Sequence, residues 1–480
     1  MVFGLNSPVR LFFFVFVNQF TFAVLAKPPE PEGWRSYLHS CQIERPNRLI
    51  TPCHCCAFYF FDVSDPVLMP TPPRGSLFGI HCREITRRYR MDSNQRTILV
   101  MDADQRSALA VTRALGSHYR SARLVTADVS ATALAGRSKY ASCYLRYPSP
   151  VDQPEAFVCW VKANCLNGQF DLVIPTTEVT SQLLLINAER LPDLPMAFAP
   201  YSRVMQLADK SRLVRSAQVL GIPVPLSRFY TRLAELDPTT LVYPVVLKPS
   251  LSKIFLGDRW LSTHVRVLHS AQDFNRVCQS DRYLAEHPFM LQEFIPGQGA
   301  GLFCLYHQGQ AIQFFAHQRL REKPPEGGVS VLSQAAKVDQ RLQAHASALL
   351  SAANWHGVAM VEFRIAEDGT PYLMEVNTRF WGSLQLAIDA GVNFPVQLVS
   401  GFFGEPIVAN NHYNVQQRLR WLMGDLDSLY IFLKRPHSFR AKLKRLVDFA
   451  APRFRNQRHE VNRLGDLKPF WHELQHYFKP

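Results

Sequence analysis

The chain of 480 residues contains no uninterrupted apolar run long enough to cross a bilayer. Its nearest approach, LFFFVFVNQFTFAVLA at 11–26, is short and broken by polar residues, although its Val24-Leu25-Ala26 end has the look of an export cleavage site. The 23 glycines and 33 prolines follow no period, which excludes collagen-like and low-complexity chains. No internal repeat points to a solenoid. The Cys53-His54-Cys55-Cys56 stretch has no second pair at zinc-finger spacing. Cys143, Cys159, Cys165, Cys278 and Cys304 are scattered singly, as packed reduced thiols are, and form no disulfide framework. The first strand-to-helix turn, MDADQRSA at 101–108, lacks glycine altogether. A dinucleotide site needs glycines there for close backbone approach to a pyrophosphate, so a nicotinamide-type reading falls away.

Charge is present but unevenly placed. The formal net charge is +14, yet residues 91–417 hold 29 Lys/Arg against 27 Asp/Glu. Residues 1–90 carry 10 against 6 and residues 418–480 carry 14 against 6. A nucleic-acid enzyme would concentrate basic charge in its working groove, so no nucleic-acid partner is expected. The basic C-terminal region is suited to weak contact with an anionic membrane.

Hydrophobic patterning divides the chain. Residues 1–90 read as a weakly ordered extension ahead of a fresh start at Met91, either a signal-like segment or a start placed too early. The runs TILVMD (97–102), ARLVTAD (122–128) and FDLVIPTT (170–177) alternate with helical patterns, which predicts a parallel α/β domain over 91–200. From 201 to 405 the pattern becomes α+β, in two parts divided near 290. A helix begins at Asp209 and stops at Gly221, and strands are expected at 243–250, 288–298 and 311–320. VAMVEFRI and PYLMEVN form a hairpin around Glu367-Asp368-Gly369. Residues 406–480 read as a basic, helical tail.

The hairpin carries the chemistry. Glu375 and Asn377 are two apart on one strand, and Glu362 stands on its partner, so all three oxygen donors can share a face. Two carboxylates and an amide among apolar neighbours suit Mg²⁺ or Mn²⁺. Lys248 ends an apolar strand, where a compact cation suits a phosphate. Lys210 opens a helix, where the dipole disfavours positive charge. Arg319 and Arg321 offer guanidinium forks to a carboxylate or phosphate, and Arg379 follows the metal strand directly.

In order, Asp209-Lys210, VVLKP (245–249), LQEFIPG (291–297), VEFR (361–364) and MEVNTRFWGS (374–383) resemble the ATP-grasp superfamily. The resemblance runs over about 96–405 and is nearest to the carboxylate–amine ligases related to the carbamoyl-phosphate synthase large chain. It implies a Rossmann-like pre-ATP-grasp domain, then two α+β subdomains clasping ATP. Lys210 and Lys248 would contact phosphates, while Gln292, Glu293, Phe294 and Ile295 would form the adenine hinge. Glu362, Glu375 and Asn377 would hold Mg²⁺, and Arg379 would lie near the transferred phosphoryl group. The implied reaction activates a small-molecule carboxylate as an acyl phosphate for attack by an amine, in the cytoplasm where ATP is plentiful. The sequence departs from the pattern twice. The phosphate-covering loop SLSKIFLGDRW (250–260) has one glycine, and GAGLFCLYHQG (299–309) offers no ribose-binding acid. These departures leave a second reading, an ATP-binding regulatory or scaffold protein with little turnover.

Overall fold

The computed structural model describes residues 95–325, 327–451 and 455–477, together with the backbone of a short hairpin, β1 (Phe13–Val17) and β2 (Phe20–Val24). The chain divides into two units, Met1–Arg88 and Tyr89–Pro480. Apart from the β1–β2 hairpin, the expected extension, the Cys53–Cys56 stretch and the start at Met91 lie outside the described residues.

The second unit opens with a parallel sheet. β3 (Thr97–Val100), β4 (Arg123–Asp128), β5 (Cys143–Arg146) and β6 (Leu172–Ile174) take the order 5-4-3-6. Between them run α1 (Arg106–His118) and α2 (Pro154–Cys165), and α3 (Glu178–Ile186) follows β6. β3 and β6 are almost wholly buried, as parallel strands covered on both faces must be. Two helices follow, α4 (Tyr201–Ala208) and α5 (Lys210–Val219).

β7 (Ser227–Tyr230), β8 (Val245–Pro249), β9 (Lys253–Phe255), β10 (Trp260–Ser262), β11 (Arg266–Leu268) and β12 (Phe289–Glu293) come next, with α6 (Ala271–Ser280) between the last two. An antiparallel sheet of order 11-8-12-7 forms from four of them, while β9 and β10 make a separate hairpin.

The largest sheet has seven strands. It contains β13 (Gln298–His307), β14 (Gln310–Lys323), β15 (Val329–Ala336), β16 (Gly357–Ile365), β17 (Pro371–Asn377), β18 (Arg418–Arg420) and β19 (Gln457–His459), in the order 17-16-13-14-15-18-19. Alternation along β13 and β16 sends Leu302, Cys304, Ala359 and Val361 to a core with α4, α5 and α7 (Gln340–Ala352). Phe303, Leu305, Val358 and Met360 go to the opposite core, shared with α1, α8 (Leu384–Ala390) and α9 (Phe394–Phe402).

Residues after 405 do not behave as an appended tail. They supply two strands of the large sheet, as well as α10 (Leu422–Lys434), α11 (Phe439–Ala450) and α12 (Lys468–Tyr477). They also return to the first sheet. Buried Arg113 of α1 donates to the carbonyls of Glu460 and Val461 and pairs with Asp466 at 2.9 Å. Much of the basic charge read from the sequence is spent internally. Asp425, with no exposed side-chain surface, accepts from Arg321 at 2.8 Å, Arg420 at 2.7 Å and Arg445 at 3.0 Å.

Three guanidiniums converge on one buried carboxylate, so its removal would leave them uncompensated. Burial raises the Asp425 pKa, but the three arginines outweigh it and hold the group below the ordinary carboxylate range. Its stabilisation is therefore fully present above the unfolded pKa of about 3.9 and lost as pH falls through the lower folded value. Asp425→Asn is expected to cost about 3–5 kcal/mol in urea unfolding at neutral pH. A midpoint and slope matching the parent protein would show that this cluster does not tie the C-terminal helices to the sheet.

Candidate active site

The site forms where the four-stranded antiparallel sheet and the seven-stranded sheet meet the start of α5. Register sets its centre: Glu362 of β16 lies opposite Glu375 of β17, and Met360 lies opposite Asn377. Period two then puts Glu362, Glu375 and Asn377 on one face. The Asn377 amide donates to Glu362 Oε1 and to Glu375 Oε1, each at 3.2 Å.

Two lysines approach from elsewhere. The Asp209 side chain caps α5 by accepting from Ser211 and Arg212 N–H, while Lys210 N–H donates to Ser250 O at 2.7 Å. The helix start is thus tied to the end of β8. Lys210 Nζ lies 3.6 Å from Glu375 Oε2 and donates to Ser252 Oγ at 2.9 Å. Lys248 is buried, with Nζ 3.7 Å from Met374 Sδ. From the other side, Arg319 Nη2 donates to Glu362 Oε2 at 3.1 Å.

Electrostatics separate the paired carboxyls. Burial and the Glu375 charge push Glu362 above the ordinary range, against the pull of Arg319. Burial also pushes Glu375 upward, but Lys210, the Asn377 amide and Lys248 outweigh it and hold the group low. Desolvation draws the Lys248 ammonium down to about 8, although Glu375 opposes the shift.

These donors fit a divalent cation shared with phosphate. Two hard carboxylates and an amide leave positions for phosphate oxygens and water, as Mg²⁺ requires, and the surrounding cations suit the phosphates. Among the described residues, no three His, Cys, Asp or Glu side chains gather into a metal cluster, and the donor set here is two carboxylates with an amide.

The expected hinge lies on β12 and the turn after it. Glu293 is exposed, Ile295 is buried, and Glu293 N–H donates to Leu226 O at 2.9 Å. Gln292 is turned inward, donating to Ser227 Oγ at 2.9 Å, so its side chain belongs to the sheet. Arg379 donates to the carbonyl of Phe380 at 2.9 Å.

Arg321 does not join this cluster. Arg319 faces Ser333 of β15, whereas Arg321 faces Leu332, so Leu320 forms a bulge. The extra residue reverses the alternation and sends Arg321 to Asp425.

The glycine-poor segment after Lys248 is the β9–β10 hairpin, turning at Gly257 with φ +98°. Phe255 and Trp260 pack against the core of the first sheet, and Trp260 Nε1–H donates to Pro150 O at 3.0 Å. Apolar residues on both sides of Leu256-Gly257-Asp258 were the available signal for this hairpin. Arg106 was missed entirely. It leaves the first strand-to-helix turn, stacks on Trp421 at 3.9 Å and pairs with Glu460. A Cβ on Gly382 would come within 3.0 Å of its guanidinium.

The model of a family described as "ATP-grasp in the biosynthetic pathway with Ter operon" matches residues 285–424. No curated protein matches the chain by sequence. Biotin carboxylase from Campylobacter jejuni, bound to a β,γ-ATP ligand, is similar in fold at TM-score 0.53 and 16% identity, with 67% of this chain and 74% of that one covered. L-amino acid ligase from Bacillus licheniformis is similar at TM-score 0.51 and 19% identity, covering 64% and 73%. The biotin carboxylase domain of Hydrogenobacter thermophilus 2-oxoglutarate carboxylase, with MgADP and bicarbonate, gives TM-score 0.52 and 14% identity over 67% and 73%.

A phosphate bound beside Lys248 would be held in a pH-dependent way. Its ammonium is lost as pH rises through about 8. ATP affinity measured by calorimetry is expected to fall above that pH, by up to about tenfold per unit. Lys248→Met should bind more weakly and lose this decline. The same decline in Lys248→Met would remove Lys248 from the phosphate site.

Proposed function

We propose that this chain is an ATP-grasp carboxylate–amine ligase, a reading supported by the family model over 285–424 and by the similar folds. The carrying observation is the convergence of Glu362, Glu375 and Asn377 with Lys210, Lys248 and Arg319 at the edge of one sheet. Glu362, Glu375 and Asn377 would hold Mg²⁺, which when bound neutralises phosphate charge during transfer. The resemblance assigns the adenine to the β12 hinge.

Phosphoryl transfer needs positioning and charge stabilisation more than a protein nucleophile. Lys210 and Lys248 bind the phosphates and fix their orientation relative to β17. Arg319 donates to Glu362 at 3.1 Å and opposes the rise in its pKa, while Arg379, two residues beyond Asn377, would stabilise charge on the transferred phosphoryl group. A substrate carboxylate oxygen attacks the γ-phosphorus, and the β,γ-bridging P–O bond breaks with its electron pair leaving on ADP. An amine then adds to the acyl carbon. Phosphate departs with the C–O electron pair, and the amine loses a proton as the amide forms. The β9–β10 hairpin, tied by Trp260 to Pro150, is suited to excluding the water that would hydrolyse the acyl phosphate.

Hydroxylamine tests this reading because it captures acyl phosphates as hydroxamates. With a pool of small carboxylates, ADP release should be accompanied by hydroxamate, in equal amounts. Glu375→Gln should lower both by at least about a hundredfold while keeping the fold. ADP release that is independent of carboxylate and yields no hydroxamate would contradict the assignment.

A further inference from the structure

Helix α11 is attached to the protein along one face. On that face Arg445 donates to buried Asp425, and the Phe449 carbonyl accepts from Arg420 at 2.9 Å. The Arg420 guanidinium also lies 4.3 Å from the Phe449 ring centre. At 3.6 residues per turn, Phe439, Leu443 and Val447 form a line on the other side of the helix. They are 79%, 50% and 59% exposed. Ala450, also exposed, continues that line.

Charge is arranged around this stripe. By helical angle Lys442 stands on one flank, with Arg440 and Lys444 on the other. None of the three pairs with a carboxylate among the described residues, whereas Arg445 on the inner face does. Asp448 is the single acid of the helix. A merely solvated helix would turn its polar side outward and its large apolar side chains inward. Here Phe, Leu and Val on successive turns face water between two cationic borders. That is the geometry of a helix lying in the plane of lipid headgroups, with apolar residues below and cations level with the anionic groups.

We propose that α11 docks this protein onto an anionic membrane surface. Phe439, Leu443 and Val447 enter the boundary between headgroups and acyl chains, while Arg440, Lys442 and Lys444 meet the lipid anions. The absence of partners for the three cations selects a polyanionic surface over a second copy of the same basic helix. The docking does not depend on the ligase reading, since α11 supplies none of the residues assigned to the nucleotide.

Co-sedimentation of the full chain with phosphatidylcholine vesicles, with and without phosphatidylserine, tests the proposal. Binding is expected only where phosphatidylserine is present and should weaken as salt is raised. Replacing Arg440, Lys442 and Lys444 together by Gln should weaken it by on the order of a hundredfold, at about fivefold per cation. Leu443→Ser with Val447→Ser should weaken it at least about tenfold even at low salt, with ADP formation unchanged. Because Arg440, Leu443, Lys444 and Val447 are exposed, and half-buried Lys442 has no carboxylate partner among the described residues, the variants should keep the parent's unfolding midpoint; Phe439→Ser provides an independent check at the helix start. No binding to phosphatidylserine vesicles, or equal binding to phosphatidylcholine alone, would overturn the proposal. So would full binding by the Leu443/Val447 variant. Self-association lost in that variant without vesicle binding, or capture by an acidic protein alone, would assign the face to another partner and overturn it too.

Discussion

Two carboxylates set side by side within a sheet are the constraint around which the site is organised. Opposite residues on antiparallel strands sit about 5 Å apart, so Glu362 and Glu375 repel unless positive charge compensates them. The compensation comes from three separate parts of the chain: Lys210 at a helix start, Lys248 at a strand end and Arg319 on β14. Each cation is costly in its own place, and each cost is offset at the shared site. The arrangement leaves the pair able to receive a divalent cation and phosphate, whose charges complete the balance.

The remainder of the fold fixes the relative positions of these groups. Capping of α5 by Asp209 and the bond from Lys210 N–H to Ser250 O lock the helix start to β8. The Asp425 cluster performs the corresponding task at the far edge of the large sheet, drawing β14, β18 and α11 together. The bulge at Leu320 lets one strand serve both centres: Arg319 goes to Glu362, and Arg321 goes to Asp425. The C-terminal region consequently combines an inner face that completes the sheet with an outer face on which Arg440, Lys442 and Lys444 pair with no carboxylate among the described residues.

Much of the site was legible because its residues violate their local surroundings. Carboxylates in the apolar strands VEF and MEVN, and a lysine closing PVVLK, stand out against strict hydrophobic alternation. The cap of α5 was similarly visible at Asp209. Other features carried weak local signals. Gly299, Gly301 and Gly309 disguised β13, although its Leu302, Cys304 and Tyr306 are buried at the centre of the sheet. β18 and β19 are three-residue strands made of Arg-Leu-Arg and Gln-Arg-His, where tertiary pairing overrides propensity. A bulge requires knowledge of the partner's register, so nothing local in the sequence separated Arg321 from Arg319 as a candidate for the site. Arg106 had no motif around it, since its neighbours Trp421 and Glu460 lie more than three hundred positions away in the chain.

The central claim is that Glu362, Glu375 and Asn377 form one divalent-cation site completed by nucleotide phosphate. Electron paramagnetic resonance of Mn²⁺ tests it directly, because free and bound ions give different signals. The account predicts weak Mn²⁺ binding by the protein alone and much tighter binding once ADP is added, with that enhancement lost in a folded Glu362→Gln/Glu375→Gln variant. An equal enhancement in the double variant would place the cation elsewhere and contradict the account.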